Sequence, residues 1–177
     1  MNKSLRLIIP AISFLGLASC QLTQQTEISS PNTRLAVSVF TLENGQAAYQ
    51  VTFDNRIIID TSTLGFSFTD APPLDENLFI ERIQKSSFSE TWEMPWGEQR
   101  WVHSNYNELR IDFREQNGLR RYFSLVFRVF DDGLGFRFEF PEQPYMKDVF
   151  IAEENTHFRL TGDHLCWWTP GDWDIYE

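Results

Sequence analysis

An all-β, antiparallel sandwich is the fold this sequence predicts, and three observations carry the prediction. Apolar residues recur with a period of two rather than 3.6. Turn dipeptides of hairpin type separate the alternating runs. No stretch of ten or more residues carries a helical apolar stripe. Many short strands joined by tight turns pack as sheet on sheet.

The runs follow in order. Leu35, Val37 and Val39 alternate with Ala36 and Ser38, and Asn44-Gly45 ends that run as a hairpin signal. Tyr49, Val51 and Phe53 alternate with Gln50 and Thr52. Asp54-Asn55 turns the chain into a strand over 56–60, and 64–68 forms another. Leu109, Ile111 and Phe113 alternate with Arg110, Asp112 and Arg114, and Asn117-Gly118 is the second hairpin signal. A long strand over 121–130 turns Phe123, Leu125, Phe127 and Val129 to one side. The Asp131-Asp132-Gly133 turn leads into Phe136, Phe138 and Phe140, and 157–160 is a last strand. Residues 86–101, rich in Trp and turn formers, fit neither period. Each sheet is expected to bury one face and wet the other.

The first twenty residues read as an export leader. Lys3 and Arg6 precede an apolar run from Leu7 to Leu17, broken by Pro10, Ser13 and Gly16. That run is shorter than the roughly 20 residues that cross a bilayer. Leu17-Ala18-Ser19-Cys20 matches a lipobox, which makes Cys20 the lipid-bearing first residue of the mature chain. Gln21, in place of Asp, points to the outer membrane, so the expected location is the periplasm with a lipid anchor. Polar residues 21–32 read as a tether, and 33–177 as the domain.

Only two cysteines occur, Cys20 and Cys166. With Cys20 lipidated, no internal disulfide is expected, and Cys166 is expected as a small buried apolar residue. The formal charge is −10, and loss of Lys3 and Arg6 with the leader takes it to −12. Such a surface repels phosphate backbones, so nucleic acid is not an expected partner. The 16 phenylalanines and six tryptophans supply a globular core rather than a disordered chain.

Two segments mix rings with acids. Glu90-Thr91-Trp92-Glu93-Met94-Pro95-Trp96-Gly97-Glu98 is followed by His103-Ser104-Asn105-Tyr106-Asn107-Glu108-Leu109. Aromatic plates beside amides and carboxylates suit pyranose rings, whose C–H faces stack while their hydroxyls are paired. The same rings also serve as core or interface, with Asn105 and Asn107 satisfying turns. The last eighteen residues hold Trp167, Trp168, Trp173, Asp172, Asp174 and Glu177. Those acids are the best metal candidates, although the spacing is not that of a calcium loop and a solvated acidic loop reads equally well. His103, His157 and His164 are too dispersed for zinc. Glu90, Glu93 and Glu98, or Asp172, Asp174 and Glu177, could supply a carboxylate pair, but nothing in the sequence shows which two would face each other.

These residues, taken together, resemble a known family. ETWEMPWGE, HSNYNEL, FRVFDDGLGFRFEFPEQ (127–143) and LTGDHLCWWTPGDWDIYE (160–177) occur in the order seen in the N-terminal domain of glycoside hydrolase family 97. The resemblance runs from about residue 30 to 177. It implies a galactose mutarotase-like β-super-sandwich, incomplete at its C-terminal end. It implies that the domain supports a (β/α)8 barrel in cis, absent here, which carries the catalytic acid and its partner. The parent activity would be an exo-acting, calcium-dependent α-glucosidase or α-galactosidase with carbohydrate as its ligand, and no catalytic residue falls in this chain. By the same resemblance Glu177 is a calcium ligand. The alternative is a free-standing carbohydrate-binding lipoprotein.

Overall fold

The computed structural model describes residues 24–166. All regular structure within them is strand. One sheet has five strands in the order β1 (Gln25–Ser29), β2 (Leu35–Thr41), β3 (Ala47–Phe53), β4 (Arg56–Thr63) and β11 (Arg159–Leu160). A second has four, β6 (Leu78–Glu93), β7 (Trp101–Glu115), β8 (Tyr122–Phe130) and β9 (Leu134–Glu139). A short third sheet pairs β10 (Ile151–Glu154) with β5 (Phe66–Phe68). Every pairing is antiparallel.

The alternating positions become the core. Val37, Val39, Tyr49 and Val51 from the five-stranded sheet meet Leu109, Ile111, Phe113, Phe123, Leu125, Phe127 and Val129 from the four-stranded one. Leu64, Phe66, Leu74 and Leu78 close one end, and all of these are buried. Burial of these side chains at about 25 cal/mol per Å² of apolar surface is the main force joining the sheets. Tyr49 is fully buried, and its hydroxyl donates to the carbonyl of His157 at 2.8 Å, so its polar end is satisfied.

The expected turns do their work. Asp54 and Asn55 both take positive φ, 49° and 61°, the pattern of a type I′ hairpin between β3 and β4. Gly45 has φ 78°, and a Cβ there would lie 2.8 Å from Asn77 Cα and Leu78 N. The β2–β3 turn is thus pressed onto the start of β6, where Leu78 N–H donates to the Gly45 carbonyl at 2.9 Å. Only glycine allows that approach.

Three expectations change. Residues 25–29 are not tether but strand β1, because Thr26 and Ile28 turn inward and are buried while the backbone pairs with β2 from Gln25↔Phe40 to Ser29↔Ala36. Residues 86–101 are irregular only at 94–100, the turn: β6 runs on to Glu93 and β7 starts at Trp101, in unbroken register from Arg82↔Asp112 to Glu93↔Trp101. Period-two alternation is hidden there because neither face is buried. Asn105 and Asn107 lie within β7 rather than in turns.

Candidate functional site

The residues singled out as ligand and anchor, Glu177 and Cys20, lie outside the described residues, as do Trp167, Trp168, Asp172, Trp173 and Asp174. Cys166 is described, and it is exposed rather than buried. Beyond the short edge strand β11 and the Thr161 N–H bond to the Ile58 carbonyl, residues 162–166 are all exposed, Leu165 fully so.

The Trp-rich segment forms the far end of the β6–β7 hairpin. β8 accompanies β7 only as far as Tyr106↔Phe130. Beyond it, residues 89–105 form a two-stranded arm closed by the Met94 N–H to Arg100 carbonyl bond at 2.8 Å. Its base is held by packing. Phe88 stacks on Tyr106 at 5.1 Å, Tyr106 leans on Phe130 at 5.0 Å, and the Arg128 guanidinium sits 4.8 Å over the Tyr106 ring. On the other face Asn107 Nδ2 donates to the Ser29 carbonyl at 2.7 Å, and Ser87 Oγ donates to Asn107 Oδ1 at 2.6 Å. Further out, Thr91 Oγ1 and His103 Nδ1 are 2.8 Å apart, and Arg100 Nε donates to Glu93 at 2.8 Å while covering Trp101.

Alternation sorts the rings of the arm. Phe88, Glu90 and Trp92 share one face, and Trp101 and His103 lie on the other. Trp96 is at the tip, with 80% of its surface exposed. Trp92 and Trp101 are about half exposed. The candidate carboxylates do not converge: Glu90 and Glu93 point to opposite faces, and Glu93 is occupied by Arg100. Glu90 and Glu93 therefore form no opposed acid pair for glycosidic cleavage.

The histidines stay apart as well. His103 is on the arm, His157 bonds Thr63 Oγ1 at 2.8 Å beside β4, and His164 is exposed. Among the described residues no group of three or more His, Cys, Asp or Glu is placed to hold a metal ion. An open depression of about 760 Å³ lies beside β4, between Thr61, Thr63, Thr156, His157 and Phe158. Its hydroxyls and exposed ring could hold a polar ligand loosely, with no carboxylate among its lining residues to serve as acid or base.

One arrangement was not legible in the sequence. Arg121 is 1% exposed, and its guanidinium binds Glu115 through Nε at 2.9 Å and Nη2 at 2.6 Å. Nη1 and Nη2 also donate to the Pro72 and Pro73 carbonyls, at 2.8 and 2.7 Å. Glu115 Oε2 also accepts the Arg121 backbone N–H at 2.8 Å. The pair fastens the 71–73 loop onto the β7–β8 turn. Its only trace in the sequence is a Glu and an Arg flanking the Asn117-Gly118 turn. On the wet face of the four-stranded sheet, hydrogen bonds from Arg110 and then Arg137 hold the Glu139 carboxyl below its ordinary value.

The sandwich is similar in fold to known proteins. The model of the Glycosyl-hydrolase 97 N-terminal family matches residues 28–177. The chain belongs to glycoside hydrolase family 97. A "Probable retaining alpha-galactosidase" of Streptomyces bingchenggensis (strain BCW-1) is 30% identical over 139 residues, which are 78% of this chain and 20% of that protein. A family 97 enzyme from Pseudoalteromonas sp. strain K8, solved in complex with panose and with acarbose, superposes with a TM-score of 0.74 at 29% identity. The match covers 77% of this chain and 20% of that enzyme. A beta-arabinopyranosidase matches with a TM-score of 0.69 at 23% identity over 77% of this chain and 21% of its own, a likeness of fold. The chain thus spans about a fifth of the length of these relatives. It is a family 97 N-terminal domain with the antiparallel sandwich expected of it.

Proposed function

We propose that this chain is the non-catalytic N-terminal sandwich of a calcium-dependent, exo-acting α-glycosidase that hydrolyses α-glucosides or α-galactosides. The match of the family 97 N-terminal model to residues 28–177 carries the reading. The carbohydrate complexes of the Pseudoalteromonas enzyme and the name of the Streptomyces relative support the substrate class. In this reading the sandwich braces a (β/α)8 barrel encoded downstream and closes one side of its sugar pocket. Positioning is the domain's contribution, and proton transfer belongs to the barrel. Cys20 carries the lipid that tethers the protein to the periplasmic side of the outer membrane.

Calcium enters through Glu177. The ion takes six to eight oxygen ligands, and the described residues bring no carboxylate cluster together. The described part of the domain therefore does not fit the ion by itself, and no chemical step is assigned through it.

The test is hydrolysis of p-nitrophenyl α-glucoside and α-galactoside. A protein with the reading frame continued past the Glu177 codon is expected to turn over one or both, to lose activity to a chelator and to regain it with calcium. The 177-residue chain is expected to be inactive, and turnover by that chain alone would remove chemistry from the barrel. The exposed Trp92, Trp96 and Trp101 favour a second reading, a free-standing carbohydrate-binding lipoprotein. Saturable quenching of tryptophan fluorescence by maltooligosaccharides in the 177-residue chain would select it.

A further inference from the structure

Because residues 25–29 are strand β1, little chain is left between the candidate lipid site and the folded domain. Gln24, just before β1, is itself fastened: its Oε1 accepts the Ile80 N–H at 2.9 Å, near the start of β6. Only residues 21–23 separate it from Cys20. Four residue steps span at most about 14 Å even when fully extended. We infer that this tether is too short to let the domain turn freely, and that one end of the sandwich, the rim made by the turns 42–46, 75–77 and 116–120, faces the lipid surface. The inference rests on the lipid-anchor reading above.

Strand pairing selects this rim. β1 begins opposite Phe40, so Gln24 lies at the end of the sandwich where β2 finishes and β6 begins. There the turns are bonded to one another. The Asn77 N–H donates to the Asn44 carbonyl at 2.9 Å, and the Gln116 N–H donates to the Asn77 carbonyl at 2.8 Å. The surface of the rim does not hold a membrane by itself. Its exposed amides, Asn44, Asn77, Gln116 and Asn117, are neutral, and the exposed Glu43 and Glu76 outnumber Arg120, the one basic residue of these turns. No large apolar side chain of the three turns is exposed. A basic or apolar patch would adsorb to lipid unaided. This rim has neither, so the covalent lipid sets the orientation through the length of the tether. The chain is acidic overall, and an anionic leaflet resists its lying flat. Distance from the rim grows along the strands. Eight residue steps of β8, Tyr122 to Phe130, carry the Asp131-Asp132 turn about 27 Å away. Thirteen steps of β6, Ile80 to Glu93, carry the arm about 43 Å away, so its exposed tryptophans open to the periplasm rather than to the bilayer.

Energy transfer to the membrane tests the inference. The full chain, expressed with its leader in a bacterium, is placed in vesicles of phosphatidylethanolamine and phosphatidylglycerol that carry an acceptor-labelled lipid. A donor fluorophore is attached through Asn117→Cys at the rim or Asp132→Cys at the far end, each in a Cys166→Ser background. Transfer from position 117 is expected to be several-fold stronger than from position 132, and Glu43→Cys should repeat the rim result at a second turn. A Gly/Ser insertion of about 20 residues after Leu22 is expected to lower the rim transfer toward the value at position 132. Equal transfer from the two ends, or stronger transfer from position 132, overturns the proposal. So does rim transfer that ignores the insertion, because the rim would then adhere on its own. The mass of the N-terminal peptide separates the two readings. Lipid on Cys20 with equal transfer sinks only the orientation, whereas a Cys20 without lipid sinks the anchor and the orientation together.

Discussion

The Arg121–Glu115 node and the 89–105 arm treat the same chemistry in opposite ways. Each joins a guanidinium, a carboxylate and aromatic rings. At the node the charges are buried, and every polar atom of the Arg121 head has a partner inside the domain. Phe68 lies 5.6 Å under the guanidinium. On the arm the Arg100–Glu93 pair is exposed, and the rings face solvent. The node is complete within these residues, whereas the arm has hydrogen bonds enough to be shaped and too little packing to be covered. Buried charge therefore marks where this domain holds itself together, and the exposed rings mark where its own residues supply no cover.

That contrast can be broken most strongly at the node. Arg121→Ala leaves Glu115 desolvated beside two proline carbonyls that lose their donors, and is expected to cost about 3–5 kcal/mol in denaturant unfolding. A loss under about 1 kcal/mol would show that the loop simply hydrates. Gly45→Ala comes next. Positive φ and a Cβ driven onto the backbone of Asn77 and Leu78 should cost about 1–3 kcal/mol, read as a lower Tm.

Acid titration gives a smaller effect. The Glu139 carboxyl is held below its ordinary value near 4.5 by Arg110 and Arg137. A depressed folded value means its stabilisation is present above about 4.5 and is lost as pH falls through that lower folded value. Glu139→Gln should remove that part of the acid slope. Because the pair is a third exposed, the change should stay within about 1 kcal/mol, and a midpoint of acid unfolding that does not move rejects it. Smallest of all is Trp96→Ala in the 177-residue chain. With nothing over the ring, stability should change by about 0.5 kcal/mol or less. A larger loss would mean the arm already packs within this domain.

Much of the sandwich is legible because burial on one face writes itself as alternation. Val37, Val39, Tyr49 and Val51, and Phe123 through Val129, show it plainly, and each lies where the pattern puts it. Strand β1 escapes notice because Thr26 and Ile28 are a short signal in polar company, and the β6 arm escapes because a ribbon wet on both faces has no alternation to show. The Trp-rich segment was recognisable as unusual, but whether its rings shared a face was not, since that depends on a register set by the whole β6–β7 hairpin.

Local chemistry along the chain thus determined the all-β class, the Asn44-Gly45 and Asp54-Asn55 turns, the inward faces and the family motifs, because these depend on period-two burial and backbone preferences of neighbouring residues. Tertiary structure alone decided that Arg121 closes on Glu115 and the 72–73 carbonyls, that Gly45 sits on Asn77, and that three arm tryptophans point three ways. Those outcomes join residues from separate strands, and the distance between such residues is set by sheet packing, which no local pattern encodes.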